Sequence, residues 1–139
     1  MLCASIAAQA QMKWNQQYQT YIDQYKDLAI EQMLKYRIPA SITLAQGLFE
    51  SGAGKSDLST RGNNHFGIKC HGWTGRTMNK DDDAANECFR AYDNPRQSYE
   101  DHSKFLARNT RYARLFQLKP TDYRGWANGL KACGYATNP

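Results

Sequence analysis

A glutamine and a glutamate four residues apart are the first candidates for chemistry in this 139-residue chain. Gln46 and Glu50 share one face of a predicted helix, because side chains at i and i+4 lie above each other. At the end of that helix, desolvation and the helix dipole would both raise the pKa of Glu50. Such a glutamate can protonate a leaving oxygen near neutral pH. On periodicity alone, an exposed glutamate without a catalytic role is the simpler interpretation.

Apolar periodicity and turn residues predict the elements that must position Glu50. Along the chain they are a helix over 15–37, a helix from Pro39 to Glu50, a loop over 55–66, β-like runs over 66–78 and 86–92, a helix over 95–109 and a last helix from Pro120 to Cys133. On the second helix, the side chains expected to point inward are those of Ile42, Ala45, Leu48 and Phe49. The order predicts an α+β fold with a mainly helical body and a small β-hairpin lobe.

The composition favours an anionic partner. The formal net charge is +5, and the chain holds nine tyrosines and three tryptophans, whose rings can stack on sugars or fill a core. Nucleic acid and an acidic cell wall both fit the charge. The arginines are dispersed and no nucleic-acid-binding signature is present, so nucleic acid is disfavoured.

The cysteines and the N-terminus indicate an exported protein. Cys70 and Cys88 flank the predicted hairpin and could form a disulfide in an oxidising compartment. A zinc site from these cysteines with His71 and His102 is the disfavoured alternative, because the spacing matches no standard zinc finger. Cys133 is expected as a buried thiol.

Residues 1–10 resemble the remnant of a signal peptide, with an Ala-x-Ala site at its end. Residues 11–139 then form one domain, which we expect to be truncated at its C-terminus. No segment is long enough to cross a membrane. The expected location is therefore secreted or periplasmic, in the cell envelope.

Several motifs occur together in one order along the chain. They are AQGLFESGAGKS at 45–56, NNHFGIKC at 63–70, CFRAYDN at 88–94, SYEDHSKFL at 98–106, RYARLF at 111–116 and GYATNP at 134–139. Together they resemble the glucosaminidase domain family, glycoside hydrolase family 73 of the lysozyme-like superfamily. The resemblance covers about 40–139, nearly all of the domain.

The resemblance implies a lysozyme-like fold and an endo-β-N-acetylglucosaminidase. Such an enzyme hydrolyses the β-1,4 bond after N-acetylglucosamine in peptidoglycan glycan strands. Glu50 matches the catalytic acid, and Tyr135 matches the active-site tyrosine of the GYAT-type motif. Asn64, Phe66 and Gly67 match the loop that lines the cleft floor, although Phe66 is equally compatible with a core position. No cofactor or metal is implied, and we expect a monomer.

The candidates for a second catalytic carboxylate are three aspartates in the hairpin turn, Asp81, Asp82 and Asp83, with Asp81 slightly favoured. Glu87 follows on the return strand, and a solvated acidic turn is the alternative interpretation. An aspartate at a water-sized distance from Glu50 would act as base and invert the configuration. Otherwise the 2-acetamido group of the substrate attacks and the configuration is retained. Substrate assistance is favoured, because a flexible hairpin makes a poor rigid base.

Three further residues are candidates for sugar binding. Trp73 and Tyr92 border the hairpin and could stack on sugar rings or pack in the hairpin, and Gln46 could hydrogen-bond an N-acetyl group. His102 is interpreted as structural. Two rival functions stay open: a muramidase or lytic transglycosylase on the same fold, and a non-catalytic wall-binding module.

Overall fold

The computed structural model describes residues 15–135, which form helices and one short hairpin. The helices and strands are α1 (Gln16–Tyr36), α2 (Ala40–Glu50), α3 (Asp57–Gly62), β1 (Thr77–Lys80), β2 (Glu87–Arg90), α4 (Pro95–Arg108), a 3₁₀-helix (Thr110–Gln117) and α5 (Tyr123–Ala132). This order confirms the predicted α+β fold. The expectations for residues 1–10 fall outside the described residues. Among the described helices, none is long and apolar enough to span a bilayer.

The ends of α1 and α2 follow from local chemistry. The side chain of Asn15 caps α1 by accepting a hydrogen bond from the Tyr18 amide. Arg37 ends α1 in the left-handed conformation, and its amide donates to the carbonyl of Met33. Pro39 precedes α2, which continues to Glu50. The turn between the helices is short, so α1 and α2 pack against each other.

The segment 55–66 was predicted as loop, and this is wrong for its central part. Ser56 accepts a hydrogen bond from the Ser59 amide and so begins α3. Asp57 adds a favourable negative charge in the first turn. Asn63 then ends α3 with a left-handed φ of 52°. A serine cap followed by aspartate was a readable start signal.

The hairpin is shorter than predicted. β1 and β2 are antiparallel and pair Thr77 with Arg90 and Lys80 with Glu87. Most of the run 66–78 is not strand, because Gly67, His71 and Gly72 have positive φ angles that interrupt extended structure.

One bridge and one covalent bond hold the interrupted run against β2. Lys69 forms an isolated bridge with Phe89. Cys70 and Cys88 form a disulfide with their Cα atoms 5.5 Å apart. These two cysteines therefore have no thiolate for zinc. Cys133 is a free, only partly buried thiol.

The last third of the chain closes the core. The 3₁₀-helix was not predicted and begins at Asn109, whose side chain accepts a hydrogen bond from the Arg111 amide. Asp122 caps α5 in the same way, through the Gly125 amide. α5 directs Trp126 and Leu130 into the core, as their helical spacing predicts. The main apolar cluster comprises Ile38, Ile42, Leu106, Tyr112, Leu115, Trp126 and Leu130.

Two histidines, His65 and His102, are buried among aromatic side chains. The hydroxyl of Tyr21 contacts His65 Nδ1 at 2.9 Å and the hydroxyl of Tyr99 at 2.8 Å. His102 is fully buried and stacks on Phe66 at 3.9 Å between ring centroids. Burial disfavours the charged imidazole. It lowers the pKa of His65 from 6.5 to about 4 and that of His102 to about 3.

The lowered pKa values of His65 and His102 predict a loss of stability in mild acid. Below pH 6.5 the unfolded chain takes up protons that the folded chain resists until about pH 4 and pH 3. Between pH 7 and pH 5 we expect the free energy of unfolding to fall by up to about 2 kcal/mol per histidine. Urea unfolding at several pH values measures it. His102→Gln should remove about half of this slope; an unchanged slope in that variant would contradict the assignment.

Candidate active site

A cleft of about 820 Å³ opens between the end of α2, the hairpin and the last described residues of the chain. Its lining combines acidic, basic and aromatic side chains with two glycines. The lining residues are Phe49, Glu50, Phe66, Gly67, Ile68, Lys69, His71, Asp82, Asp83, Phe105, Tyr112, Gly134 and Tyr135. Three segments distant in sequence therefore meet around Glu50.

Glu50 reaches the cleft because α2 stops immediately after it. The amide of Ser51 still donates to the Gly47 carbonyl, and the buried hydroxyl of Ser51 accepts a hydrogen bond from the Gly54 amide at 2.8 Å. Gly52 and Ala53 have positive φ angles, so the chain turns away from the helix axis. The carboxyl group of Glu50 is left at the helix end, facing the opening.

Two effects raise the pKa of Glu50. The larger is desolvation by the cleft walls, and the smaller is repulsion from the charge of Asp82. Glu50 remains accessible to solvent from the open side, so the walls remove only part of its hydration. Among the described residues it has no cationic ion-pair partner. A protonated carboxyl group is therefore retained to higher pH than in an ordinary surface glutamate.

The three turn aspartates have different surroundings. Asp81, favoured from the sequence, points into its own turn and accepts a hydrogen bond from the Asn86 amide at 2.7 Å. Asp83 lies 3.4 Å from the ammonium group of Lys69, which also contacts Glu87 at 2.8 Å. Asp82 lines the cleft, and its charge acts on Glu50. Asp82 and Asp83 thus line the cleft, whereas Asp81 does not, and the charge that acts on Glu50 is that of Asp82.

The loop after α3 holds Gly67 against Glu50. A β-carbon on Gly67 would lie 3.7 Å from Glu50 Oε2. The buried Asn64 does not line the cleft; its amide donates to the carbonyls of Ile68 and Arg90 and accepts from the Ile68 amide. Asn64 therefore shapes the loop and is not available to bind substrate. Phe66 is both floor and core, since it lines the cleft and is only 4% exposed.

Gln46 is also occupied by the protein. Its Oε1 lies 2.8 Å from His102 Nε2, which donates the hydrogen bond because a carbonyl oxygen only accepts. Gln46 does not line the cleft, so the expectation that it binds an N-acetyl group is not supported. Through His102 it supports Phe66, the floor residue. His102 is structural, as expected.

Tyr135 closes the cleft opposite the hairpin. Its ring packs edge-on against Tyr112 at 5.8 Å and against His102 at 6.2 Å between centroids. Burial raises the pKa of Tyr135, and the charge of Glu50 raises it further. The phenol therefore stays protonated near neutral pH and can donate a hydrogen bond next to Glu50.

Trp73 and Tyr92 lie outside the cleft, contrary to their expected role. Both line a separate groove on the other side of the hairpin. Tyr92 is 2% exposed and donates its hydroxyl to Asp101, so it offers no face to a sugar. Alternation of side chains along a strand places neighbours on opposite faces, and the sequence does not show which face meets the cleft.

Several cleft residues were not predicted as site residues: Phe49, Ile68, Lys69, His71, Phe105, Tyr112 and Gly134. Phe49 was expected to point inward, but it is 76% exposed beside Glu50 and presents an aromatic face at the cleft mouth. Lys69 and His71 come from the interrupted run before β1. An apolar residue next to a predicted catalytic acid was the signal available for Phe49, but helical periodicity alone assigned it to the core.

A helical body, a small hairpin and a helix-terminal glutamate facing a cleft define a lysozyme-like glycoside hydrolase domain. The family model described as "Glucosaminidase: Mannosyl-glycoprotein endo-beta-N-acetylglucosaminidase" matches residues 26–139, and the chain belongs to this family. The family resemblance noted in the sequence is therefore confirmed.

Known relatives agree with this family. The glycoside hydrolase domain of Salmonella typhimurium FlgJ has a TM-score of 0.72 at 26% identity, covering 88% of this chain and 79% of that one. A peptidoglycan hydrolase from Sphingomonas sp. A1 has a TM-score of 0.73 at 30% identity, covering 87% and 80%. Exo-glucosaminidase LytG of Bacillus subtilis is 31% identical over 133 residues, 87% of this chain and 46% of its own length. The chain spans less than half the length of the curated relatives it matches.

A substitution at Gly67 tests the cleft geometry. Gly67→Ala places a methyl group beside the Glu50 carboxylate at a φ of 64°. We expect about 1 kcal/mol of destabilisation from the left-handed backbone. We also expect a higher pKa of Glu50, because the methyl group displaces water. Chemical denaturation and carbon-detected NMR titration of Glu50 measure the two effects.

Gly72→Ala is the matched control for this comparison. Gly72 has a φ of 79°, and an added β-carbon meets no atom within 4 Å. It should show a similar loss of stability with no change at Glu50. Equal shifts of the Glu50 pKa in both variants would contradict a direct contact between Gly67 and Glu50.

Proposed function

We propose that this domain is an endo-β-N-acetylglucosaminidase that hydrolyses the β-1,4 bond after N-acetylglucosamine in peptidoglycan. The observation that carries the proposal is Glu50, a solvent-facing carboxyl group with a raised pKa in the cleft of a glucosaminidase-family chain. Its relatives support the substrate, since two of them are named peptidoglycan hydrolases. Glu50 then gives its proton to the leaving oxygen.

The surroundings of Glu50 fit a sugar polymer. The cleft of about 820 Å³ has a polar wall at the hairpin and aromatic residues at its mouth, floor and far side. Phe49 offers an exposed ring on which a sugar can stack. The position of Tyr135 beside Glu50 supports a role in stabilising charge at the reacting ring or in holding the acetamido group. For both Phe49 and Tyr135, the proposed role is supported by the position of the side chain beside Glu50.

The mechanism we favour is substrate assistance. Asp82 is exposed, and its side chain has no hydrogen bond or ion pair to residues 15–135 that would fix it as a base. The effect of Asp82 on Glu50 is instead electrostatic, because its charge helps to keep Glu50 protonated. The acetamido oxygen of the substrate attacks the anomeric carbon as the leaving oxygen departs with the proton of Glu50. Water then opens the cyclic intermediate from the opposite side, so the configuration is retained.

We further propose that the domain is exported and acts as a monomer in the cell envelope or outside the cell, in the manner of an autolysin. The disulfide between Cys70 and Cys88 supports export, because such bonds persist in oxidising compartments. The net charge of +5 supports residence near an acidic wall.

The products of a digest test the proposed bond and the proposed acid together. Purified peptidoglycan is treated with the wild-type protein, Glu50→Gln or the surface control Glu31→Gln, reduced with borohydride and analysed by mass spectrometry. Wild type and Glu31→Gln should yield reduced N-acetylglucosamine ends. Glu50→Gln should lose at least about 100-fold in rate, because it has no proton to give.

Other products would change the conclusion. Reduced or anhydro-muramic ends would make the protein a muramidase or lytic transglycosylase. Release of terminal units alone would indicate exo-cleavage, the activity named for the relative from Bacillus subtilis. Binding to the wall without cleavage would indicate a wall-binding module.

Asp82→Asn separates an electrostatic role from that of a base. Removing its charge lowers the pKa of Glu50, so the basic limb of the pH–rate profile should move to lower pH. Asp81→Asn, in the same turn, should leave that limb in place. With substrate assistance the maximal rate of Asp82→Asn should fall by less than about tenfold, whereas loss of a true base costs about 100-fold or more. A limb that does not move would contradict the electrostatic role.

A further inference from the structure

A second groove follows α4 away from the cleft. It is lined on α4 by Gln97, Asp101, Lys104, Phe105 and Arg108, with Trp73 on the opposite wall; we name it the α4 groove. Its two parts have volumes of about 610 Å³ and 280 Å³ and share Asp101 and Lys104. Phe105 lines both the smaller part and the catalytic cleft. The two depressions are therefore neighbours along one helix.

The spacing on α4 makes this groove a continuous track. Gln97, Asp101, Lys104 and Arg108 recur at three- and four-residue intervals, so they lie on one helix face. The eight steps from Gln97 to Phe105 rise about 12 Å along the axis. An extended peptide covers about 3.3 Å per residue, so the track holds about four residues.

The acidic residues along the track are already neutralised. Asp101 pairs with Arg90 at 2.9 Å and accepts the hydroxyl of Tyr92. Asp93, at the far end, pairs with Arg76 at 2.9 Å.

The two cations of the α4 groove beside Phe105 are not neutralised. Lys104 and Arg108 have no ion-pair partner in the described part of the chain. They lie one turn apart, beside Phe105. This end of the track therefore attracts carboxylates, while its acids are held by the protein.

Trp73 supplies a fixed apolar wall at the other end. Its Nε1 donates to the Arg76 carbonyl at 2.9 Å, and the guanidinium of Arg90 lies 5.1 Å from the ring centroid. Tyr92 packs edge-on against it at 5.5 Å. Because the indole N–H is already used, the ring offers an apolar contact to small aliphatic side chains.

We propose that the α4 groove binds the short acidic peptide that branches from the glycan substrate. The peptide leaves the sugar chain at the cleft, passes Phe105 and places its carboxylates at Lys104 and Arg108. An alanine-sized side chain then contacts Trp73. The assignment rests on the proposed function, because only a glycan bearing such peptides connects the two depressions.

Paired substrates test this inference. Peptide-bearing glycan and glycan stripped of peptides by an amidase are compared with the wild-type protein and with Lys104→Ala/Arg108→Ala. We expect the KM for peptide-bearing glycan to rise about five- to tenfold in the double variant, as charged contacts are lost. The KM for stripped glycan should not change. Lys26→Ala/Arg111→Ala, two exposed cations outside the groove, should leave both values unchanged.

Two results would overturn the inference. One is no change of KM on either substrate, and the other is an equal rise on both, which would assign Lys104 and Arg108 to the glycan itself. Wild-type cleavage of stripped glycan reports on the proposed function separately.

Direct binding gives a second measurement that needs no cleavage. A synthetic stem tetrapeptide is added to the Glu50→Gln protein and followed by NMR. Shifts of the Trp73 indole signal and of α4 amides, absent from Lys104→Ala/Arg108→Ala, support the site even if wild type cleaves nothing. Absence of these shifts with Glu50→Gln overturns it.

Discussion

The side-chain amide of Asn64 is the interaction on which the site depends. It binds the carbonyls of Ile68 and Arg90 and the amide of Ile68, while the backbone amide of Asn64 donates to the carbonyl of Leu58 in the first turn of α3. One buried residue thus joins α3, the loop and β2. An unsatisfied amide at this depth would be costly, so the arrangement is strongly preferred. Gly67 lies within the span that Asn64 closes and therefore meets Glu50 at a fixed place.

Glu50 shows that local stability and chemistry oppose each other here. A carboxylate at the negative end of a helix, partly desolvated and near another acid, is a poor choice for stability. The fold compensates through dense apolar packing around Trp126 and through the capped ends of its helices. Perturbed carboxyl groups that remain open to solvent are characteristic of functional sites.

Sequence patterns predicted what depends on short-range physics. The start of α4 at Asn94, the end of α2 at Glu50 and the burial of Trp126 all follow from caps and helical period. Periodicity gives the face of a helix but not the neighbour that meets it. For this reason Gln46 was expected at the substrate, yet it contacts His102.

The errors in the hairpin have a different origin. The run before β1 was predicted as strand from its β-like residues. The positive φ angles of Gly67, His71 and Gly72, which interrupt it, are visible only in the structure. Which aspartate faces Glu50 depends on the register of the turn, and register is a tertiary property. The same limitation placed Trp73 and Tyr92 at the cleft.

The disulfide between Cys70 and Cys88 turns the segment between them into a closed ring, with 18 positions separating its ends. The ring carries the acidic turn, while Trp73 and Arg76, nearer the Cys70 end, contact Tyr92 and Asp93 outside the ring. Doubling the length of a flexible loop costs only about 0.6 kcal/mol, so changes within such a ring are tolerated while its ends stay fixed. Variation in the turn is thereby insulated from the helical body. The segment opposite Glu50 can therefore be exchanged or lengthened without rebuilding the fold.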